Sequence, residues 1–376
     1  MVFLRSLIGR LIMLIFTLRY FFTKAAVYED ACKKTHRWYR LKLPGAKAAD
    51  GSPFSVYVKK GMANKLIIYF AGGGASWNGQ TAAAPMSFQT IIEGKEGYYF
   101  SRLDNYQELF INGILGKDDR RNPFNEWNYI YLPYSTADFY VGNNEFPYTG
   151  TDGKRHILYH KGVENMRRAL ESIPPEFCRP ESLFIIGESA GAFGVVANAG
   201  EVAAFFPECQ DITVYADGSH IEYPGWKGII RDVWKAAEDK YACVGEDGML
   251  IRDWFIRLGK QLPGAALLQS NSAFDETLSQ FQNKLNHDQY TVTLQALEEF
   301  HRGLAQEVRE IKAALPNFYY YIANHDKNPA TGKTAHTTTR YPKRLYEDRV
   351  EGVSVAEWLK AAVINKQYRD VGSELI

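Results

Sequence analysis

The chain has 376 residues, of which 46% are hydrophobic and 23% are charged. This composition is ordinary for a globular protein and excludes a disordered, collagen-like or coiled-coil chain. Charged residues interrupt every long apolar stretch, which excludes a multi-span membrane protein, and a formal net charge of +1 provides no global field that would favour nucleic acid.

The amino-terminal segment is apolar and basic. Its uninterrupted apolar run, Leu11–Leu18, lies between Arg10 and Arg19 and is too short to cross ~30 Å of hydrocarbon as a helix. Residues 1–26 are therefore expected to be a signal peptide or a membrane-associating segment. Residues 1–60 hold 12 Lys and Arg against 3 acidic residues, a balance that hinders export and favours peripheral contact with anionic lipid through residues 1–24. Secretion, membrane association and a cytoplasmic location all remain open.

The rest of the chain alternates short apolar runs with helical stretches. Six runs predict strands buried on both faces: Lys65–Phe70, Tyr129–Leu132, Leu183–Ile186, Ile212–Tyr215, Ala265–Gln269 and Phe318–Ile322. Helices are predicted over Gly162–Ile173, Ala190–Phe206 and Thr291–Leu315. The alternation indicates an α/β fold with a mostly parallel central sheet and helices on both faces. No linker or repeat divides it, so residues 27–376 are expected to form one catalytic domain, with cap-like insertions near residues 75–125 and 220–262.

The motif with the clearest chemistry is Gly187-Glu188-Ser189-Ala190-Gly191. This G-x-S-x-G pattern lies between a predicted strand and a predicted helix, which is the context of a nucleophile elbow. The tight turn excludes bulk two residues before and after the serine and exposes its hydroxyl. The N–H of Ala190 then lies at a helix start, where it can stabilise an oxyanion. The alternative is a glycine-rich turn with an inert serine.

A second glycine-rich segment, Gly72-Gly73-Gly74, follows the first strong strand. Glycines at that point expose backbone N–H groups toward the strand ends and predict the other half of an oxyanion hole. No Lys-Ser/Thr pair follows the run, which argues against a phosphate-binding loop.

A nucleophilic serine needs a base, and the base needs a residue that orients it. The order Ser, acid, His leaves four histidines beyond the late strands, His287, His301, His325 and His336. The first two lie in a polar helical stretch and are expected at the surface, so His325 and His336 are the candidates for the base. Asp217 and Asp275 each follow a predicted strand and are the candidates for the acid. Spacing alone leaves both choices open.

The cysteines are Cys32, Cys178, Cys209 and Cys243, and no CxxC or HExxH motif is present, which argues against a zinc site. Cys178 and Cys209 flank the elbow segment and are expected either to form one bridge or to belong to a set of four buried thiols. The hydrolytic chemistry predicted here requires no metal and no organic cofactor.

Several blocks resemble one known family. Tyr69–Asn78 (YFAGGGASWN) is similar to a block of the pectin acetylesterase/Notum family, and Asn122–Phe124 with Trp127–Tyr134, followed by Asp138, resembles a second. Further similar blocks are the elbow Gly187–Gly194, Ala273-Phe274-Asp275, Ala335-His336-Thr337 and Gly352–Leu359. These blocks run in the family's order from about residue 65 to about residue 362. Ser76 and Ser135 depart from it, since many members carry cysteine there.

The resemblance implies an α/β-hydrolase-like serine carboxylesterase with the triad Ser189, Asp275 and His336. It implies oxyanion donors from Gly73 or Gly74 and from Ala190. The substrate would be a carbohydrate or protein that carries an O-acetyl or other short O-acyl group.

Trp77, Tyr134 and Asp138 are candidate substrate-binding residues, although core packing is the alternative role for such aromatic side chains. The chain is expected to act as a monomer. The competing hypotheses are a catalytically inactive hydrolase-fold binding module and a lipid-interface protein that works through its basic amino terminus.

Overall fold

A computed structural model of the chain describes residues 24–29, 34–87, 90, 95–103, 111–116 and 119–376. Apart from its last three residues, the predicted signal or membrane-associating segment lies outside this part, as does Cys32. In the ranges just given, no helix combines the length and the apolar character needed to cross a membrane.

The core of the fold is a nine-stranded sheet, with two small two-stranded sheets beside it. In chain order the strands are β1 Ala26–Val27, β2 Trp38–Lys47, β3 Pro53–Lys59, β4 Lys65–Phe70, β5 Asn128–Leu132, β6 Asn144–Thr149, β7 Arg155–His160, β8 Ser182–Glu188, β9 Asp211–Asp217, β10 Ala266–Ser272, β11 Phe318–Ala323, β12 Arg349–Val350 and β13 Val353–Ser354.

The strand order in the large sheet is β1-β2-β3-β5-β4-β8-β9-β10-β11. From β5 to β11 every neighbouring pair is parallel, whereas β3 pairs with β2 and with β5 in the antiparallel direction. The carboxyl ends of the parallel strands therefore meet at one edge of the sheet, which is where ligands bind in open α/β sheets.

Helices connect most of the parallel strands. They are α1 Gly79–Ala82, α2 Gly162–Glu171, α3 Ala190–Ala204, α4 Trp226–Gly228, α5 Glu238–Tyr241, α6 Leu250–Gln261, α7 Glu276–His287, α8 Leu294–Ala314 and α9 Val355–Leu359. The longest, α8, begins at a Thr293 side chain that accepts a hydrogen bond from the N–H of Ala296, which is a favourable helix cap.

Both faces of the sheet are covered. Gln269 and Ser270 are neighbours in β10, so their side chains point to opposite faces. Gln269 bonds to Glu307 of α8. Ser270 bonds to the hydroxyl of Tyr215, whose ring lies edge-on to Trp358 of α9. Helices α8 and α9 thus pack on opposite faces, and the predicted α/β architecture is confirmed.

All six predicted strands are present, with ends that differ by up to three residues, and so are the three predicted helices. The agreement has a simple cause: β8 is buried at all seven positions, as a continuous apolar run predicts. The apolar runs do not predict β1, β2 and β3 of the large sheet or the four strands of the two small sheets. In β2 buried and exposed positions are mixed, and its pairing with β3 shifts register between Lys42 and Lys47.

Two further expectations are corrected. Residues 220–262 contain α6, which packs on α3 and α8, so this region contributes to the scaffold as well as to an insertion. Cys178 and Cys209 are both free thiols, so the expected bridge is wrong. The alternative of buried thiols holds for Cys209 but not for Cys178 or Cys243, which are exposed. The assignment of residues 27–376 to one domain stays a prediction.

Candidate active site

Ser189 sits in the turn between β8 and α3. Its φ of +50° and ψ of −126° lie in a region that non-glycine residues rarely occupy, which is the strain expected of a nucleophile elbow. A Cβ at Gly187 would collide with the carbonyl group of Gly191, and one at Gly191 with that of Phe70. The two motif glycines are therefore required by close backbone packing around the turn.

The glycine run after β4 passes directly beside Ser189. A Cβ at Gly72 would lie 2.7 Å from the Cβ of Ser189, so only glycine allows this approach. Gly74 has φ +81° and packs against the carbonyl group of Tyr98, which again excludes a side chain. In the described part of the chain, the N–H groups of Gly73, Gly74 and Ala190 have no hydrogen-bond acceptor.

His336 and Asp275 form a hydrogen-bonded pair. Asp275 caps α7, where its Oδ1 accepts from the N–H of Leu278 at 2.9 Å, and its Oδ2 lies 2.7 Å from Nδ1 of His336. Nε2 of His336 is buried and has no hydrogen-bond partner among the described residues. An imidazole oriented in this way has one nitrogen held by a carboxylate and the other available for proton transfer.

The competing acid and base of the sequence analysis have other partners. Asp217 bonds to the backbone N–H groups of Thr338 and Thr339, each at 2.8 Å, and not to a histidine. His325 is 7% exposed and its ring stands 6.2 Å from that of Tyr321. It is absent from the wall of the cavity beside Ser189.

Ser189 and His336 both open into a cavity of about 290 Å³, which Gly72, Gly73, Gly74 and Ala190 also line. The rest of the wall is mainly apolar and includes Phe100, Phe139, Phe193, Ile221, Leu278 and Phe281. Phe100 comes from the first predicted insertion and Ile221 from the second. A concave apolar space with a few converging polar groups is typical of a small-molecule site.

Charges around the cavity shift the titration of His336. Burial by itself lowers the pKa of His336, but the charge of Asp275 and its hydrogen bond outweigh burial. The carboxylates of Asp217 and Glu188 act in the same direction, and the net pKa is raised above that of an ordinary histidine. Three carboxylates, each at the end of a neighbouring strand or helix, thus raise the pKa of the His336 imidazole.

The predicted substrate-binding residues are placed differently. Trp77 is 8% exposed and lies edge-on to Tyr98 and Phe281. The hydroxyl of Tyr134 accepts from the N–H of Phe139 at 2.7 Å. Asp138 has no exposed surface. None of the three predicted residues lines the cavity. Their side chains pack against and bond to the loops behind the cavity, which agrees with the alternative role of core packing for the two aromatic residues. Contact of the three residues with substrate stays a prediction.

Two charged residues of the cavity were missed by the sequence analysis. Glu188 is the variable residue of the elbow motif, and Arg340 follows His336 by four positions; the two form an ion pair in the cavity wall. A charged residue between the glycine and the serine of an otherwise small and apolar elbow is the signal that marks this pair.

Comparison with known proteins identifies the family of this chain. Residues 36–227, about half of the chain, match the sequence model of the family described as Pectinacetylesterase. The chain belongs to the pectinacetylesterase family. The matched segment includes the glycine run and the elbow and ends before Asp275 and His336.

Two curated relatives are similar to this chain over part of their length. One is the Palmitoleoyl-protein carboxylesterase NOTUM of Schmidtea mediterranea, 24% identical over 44% of this chain and 31% of that protein. The other is the Palmitoleoyl-protein carboxylesterase notum2 of Xenopus laevis, 22% identical over 51% of this chain and 37% of that protein. The matches thus span about a third of each relative.

Solved structures show the same fold. Two crystal forms of the Wnt deacylase Notum from Drosophila each have a TM-score of 0.58 and 15% identity to this pectinacetylesterase-family chain. The alignments cover 88% of this chain and 95% and 94% of the Drosophila chains. The α/β-hydrolase-like fold expected from the sequence is therefore confirmed.

Proposed function

We propose that this protein is a serine carboxylesterase that removes an O-acyl group from a protein or a carbohydrate. The observation that carries the proposal is the 2.7 Å hydrogen bond between Asp275 and His336 at the edge of a cavity that also exposes Ser189 and the glycine run. Family membership and the names of the curated relatives support the same class of reaction.

In the proposed mechanism, the Ser189 hydroxyl attacks the ester carbonyl while Nε2 of His336 takes its proton. Asp275 keeps the other ring nitrogen protonated and stabilises the imidazolium that forms. The tetrahedral oxyanion is stabilised by the N–H groups of Ala190 and of Gly73 or Gly74. Its collapse expels the alcohol, which receives the proton from His336. Water, activated by the same imidazole, then hydrolyses the acyl-serine.

The volume of the cavity indicates the length of the acyl group that it can hold. A single acetyl methyl would leave most of a 290 Å³ cavity with apolar walls unfilled. Burial of each additional methylene is worth about 0.8 kcal/mol. We therefore propose that the acyl chain is longer than acetyl, which departs from the O-acetyl or other short O-acyl group expected from the sequence. The name of the relatives, palmitoleoyl-protein carboxylesterase, is consistent with a long acyl chain.

We further propose that the protein is secreted or associated with a membrane. The apolar segment near Leu11–Leu18 supports either location, and the excess of Lys and Arg in residues 1–60 supports contact with a membrane that carries anionic lipid. A monomer remains our expectation for the assembly.

The test is hydrolysis of p-nitrophenyl acetate, octanoate and palmitate by the purified protein and by Ser189→Ala. We expect octanoate or palmitate to give a higher kcat/KM than acetate. We expect Ser189→Ala to reduce kcat by about 10⁴-fold or more. Cys178→Ser is a control that changes an exposed side chain of similar size away from the cavity.

The inactive binding module is the outcome that would replace this proposal. It predicts that no ester is hydrolysed by the wild-type protein, or that Ser189→Ala hydrolyses it equally well. A fluorophosphonate probe separates the two further, because only an activated serine is labelled and the label must be absent from Ser189→Ala.

A further inference from the structure

The ion pair between Glu188 and Arg340 occupies an unexpected position. Glu188 is the last residue of β8, directly before Ser189, and is 1% exposed. The guanidinium of Arg340 contacts its Oε1. Removing both charges from water is costly, and apolar residues of similar volume often give equal or greater stability. The pair therefore calls for a role beyond holding the fold together.

Glu188 also reaches the glycine run. Its Oε1, the same atom that Arg340 contacts, accepts a hydrogen bond from the N–H of Gly72 at 3.2 Å. One carboxylate thus joins the elbow, the glycine run and the segment that carries His336. A hydrogen bond to a charged group is roughly twice as strong as one between neutral groups, so this contact restrains the peptide directly before the oxyanion donors.

The segment that carries Arg340 is itself fixed. Asp217 accepts from the N–H groups of Thr338 and Thr339. The guanidinium of Arg344 donates to the carbonyl oxygen of His336 at 2.8 Å. Arg340 is therefore presented to Glu188 by an anchored backbone and not by a free loop.

A lone carboxylate at this place would oppose catalysis. The proposed reaction creates a negative charge beside Ser189, and Glu188 is the adjacent residue. Within a site of low dielectric, two like charges a few ångströms apart repel strongly. Arg340 lines the same cavity as the two residues and carries the compensating positive charge.

We infer that Glu188 and Arg340 act together as positioning residues for the esterase reaction. Glu188 holds the glycine run so that the N–H groups of Gly73 and Gly74 face the oxyanion, and Arg340 neutralises Glu188 so that its charge does not oppose that oxyanion. The inference rests on the proposed function and concerns the same site.

The pair also contributes to the charges around His336. The groups near that imidazole are the carboxylates of Asp275 at the start of α7, of Asp217 at the end of β9 and of Glu188 at the end of β8, with Arg340 and Arg344 on its own segment. Removing the negative charge of Glu188 lowers the pKa of His336, because that carboxylate stabilises the imidazolium. Removing the positive charge of Arg340 has the opposite effect.

The experiment measures kcat, KM and the pH dependence of kcat/KM for Glu188→Gln, Arg340→Met and the double variant. We expect each single variant to lose about tenfold in kcat, with KM little changed, since the oxyanion donors are misplaced but not deleted. The acidic limb of the pH profile of kcat/KM reports deprotonation of His336. It should move to lower pH in Glu188→Gln and to higher pH in Arg340→Met, each by about half a pH unit. In the double variant the limb should return toward that of the wild type.

Two controls make the result specific. Arg340→Lys retains the positive charge and should keep the limb at the wild-type position. Arg252→Met removes a similarly inaccessible arginine from an ion-pair network on α6 and should change neither the limb nor kcat. Titration of the active serine with a fluorophosphonate normalises kcat, so that partial misfolding of one variant is not counted as lost catalysis.

The outcomes separate the two proposals. Absence of hydrolysis that depends on Ser189 would overturn the proposed function. An active wild type whose acidic limb stays fixed in both single variants would overturn the positioning role alone and leave the ion pair with a purely structural function. Limb shifts of opposite sign, rescued by Arg340→Lys, support the inference.

Discussion

Two neighbouring loops of this sheet each present a buried aspartate to the same segment of chain. Asp217 ends β9, and Asp275 follows β10 at the start of α7. Both side chains are 1% exposed. Both also form hydrogen bonds with residues between 336 and 339. By residue type, burial and place in the topology they are nearly equivalent.

Their partners are different. Asp217 accepts from Ser270 through Oδ1, and from the N–H and hydroxyl groups of Thr338 and Thr339 through Oδ2. Asp275 accepts one backbone N–H through Oδ1 and contacts the imidazole of His336 through Oδ2. Both oxygens of Asp217 are thus used to hold the backbone and side chains around them. Asp275 uses one oxygen to cap a helix and the other to contact a titratable ring.

The comparison shows that the position of an acid after a strand does not define its role. Asp217 fixes the backbone of the segment from which His336 projects, while Asp275 orients the side chain itself. We expect loss of the first to act mainly on stability and loss of the second mainly on catalysis.

The largest effect is expected for Asp275→Asn. The variant keeps an oxygen for the N–H of Leu278 but removes the charge that stabilises the His336 imidazolium and favours its correct tautomer. We expect kcat to fall by about 10⁴-fold. The melting temperature should change little. Steady-state ester hydrolysis and thermal unfolding measure the two quantities on the same sample.

The matched control for this prediction is Asp217→Asn in the same assay. If Asp275→Asn retained kcat within tenfold of the wild type while Asp217→Asn lost it, the assignment of the two acids would be reversed.

A smaller effect, and one on a different property, is expected for Asp217→Asn. An amide in place of the carboxylate turns an NH₂ group toward buried donors and leaves some of them unsatisfied. Such losses cost ~1–3 kcal/mol each. We expect the free energy of unfolding to fall by about 2–4 kcal/mol, as measured by urea denaturation. Asp211→Asn, the same change at the half-buried start of β9, should cost less than about 1 kcal/mol.

The kinetic part of this prediction uses active-site titration. Normalised to titrated serine, kcat of Asp217→Asn should stay within about tenfold of the wild type. A loss of 10³-fold or more in a folded, titratable protein would show that Asp217 acts on the reacting groups directly.

The sequence pattern identifies both of these acids but not the basis of the difference between them. Continuous apolar runs predict strands buried on both faces, and the strand ends then place Ser189, Asp217 and Asp275 at one edge of the sheet. The choice between the two acids came from the resemblance to a family. Spacing could not supply it, because the hydrogen bonds of Thr338 and Thr339 depend on the path of a loop that carries no periodic pattern.

The same limit explains the substrate-binding residues. Trp77 and Tyr134 are aromatic and lie near the glycine run in sequence, so they satisfy the pattern of a binding site. Whether an aromatic ring faces a cavity or the core behind it is decided by partners that only the fold supplies. Trp77 packs against the distant Phe281, and the hydroxyl of Tyr134 accepts from the N–H of Phe139. Glu188 lies inside the elbow motif and is visible in the sequence. Its pairing with Arg340 could not be predicted, because only the fold brings Arg340 close to it.

The smallest effect over a single pH unit concerns Asp138, a third buried carboxylate, which resembles Asp217 in serving only internal partners. It accepts from the hydroxyl of Thr136 and from the N–H groups of Tyr140 and Gly162. Burial outweighs these hydrogen bonds and raises the pKa of Asp138 to about 7. The folded protein therefore binds this proton more tightly than the unfolded chain does.

The sign of the consequence is fixed by linkage. Between about pH 4 and pH 7 unfolding releases this proton, so the free energy of unfolding falls as pH rises, by at most ~1.4 kcal/mol per pH unit. Asp138→Asn removes the titrating group. The difference in unfolding free energy, wild type minus Asp138→Asn, should thus decrease from pH 4 to pH 7 in urea denaturation. A difference that is constant or increases would show that the hydrogen bonds dominate burial, and that Asp138 is held as a carboxylate whatever its access to water.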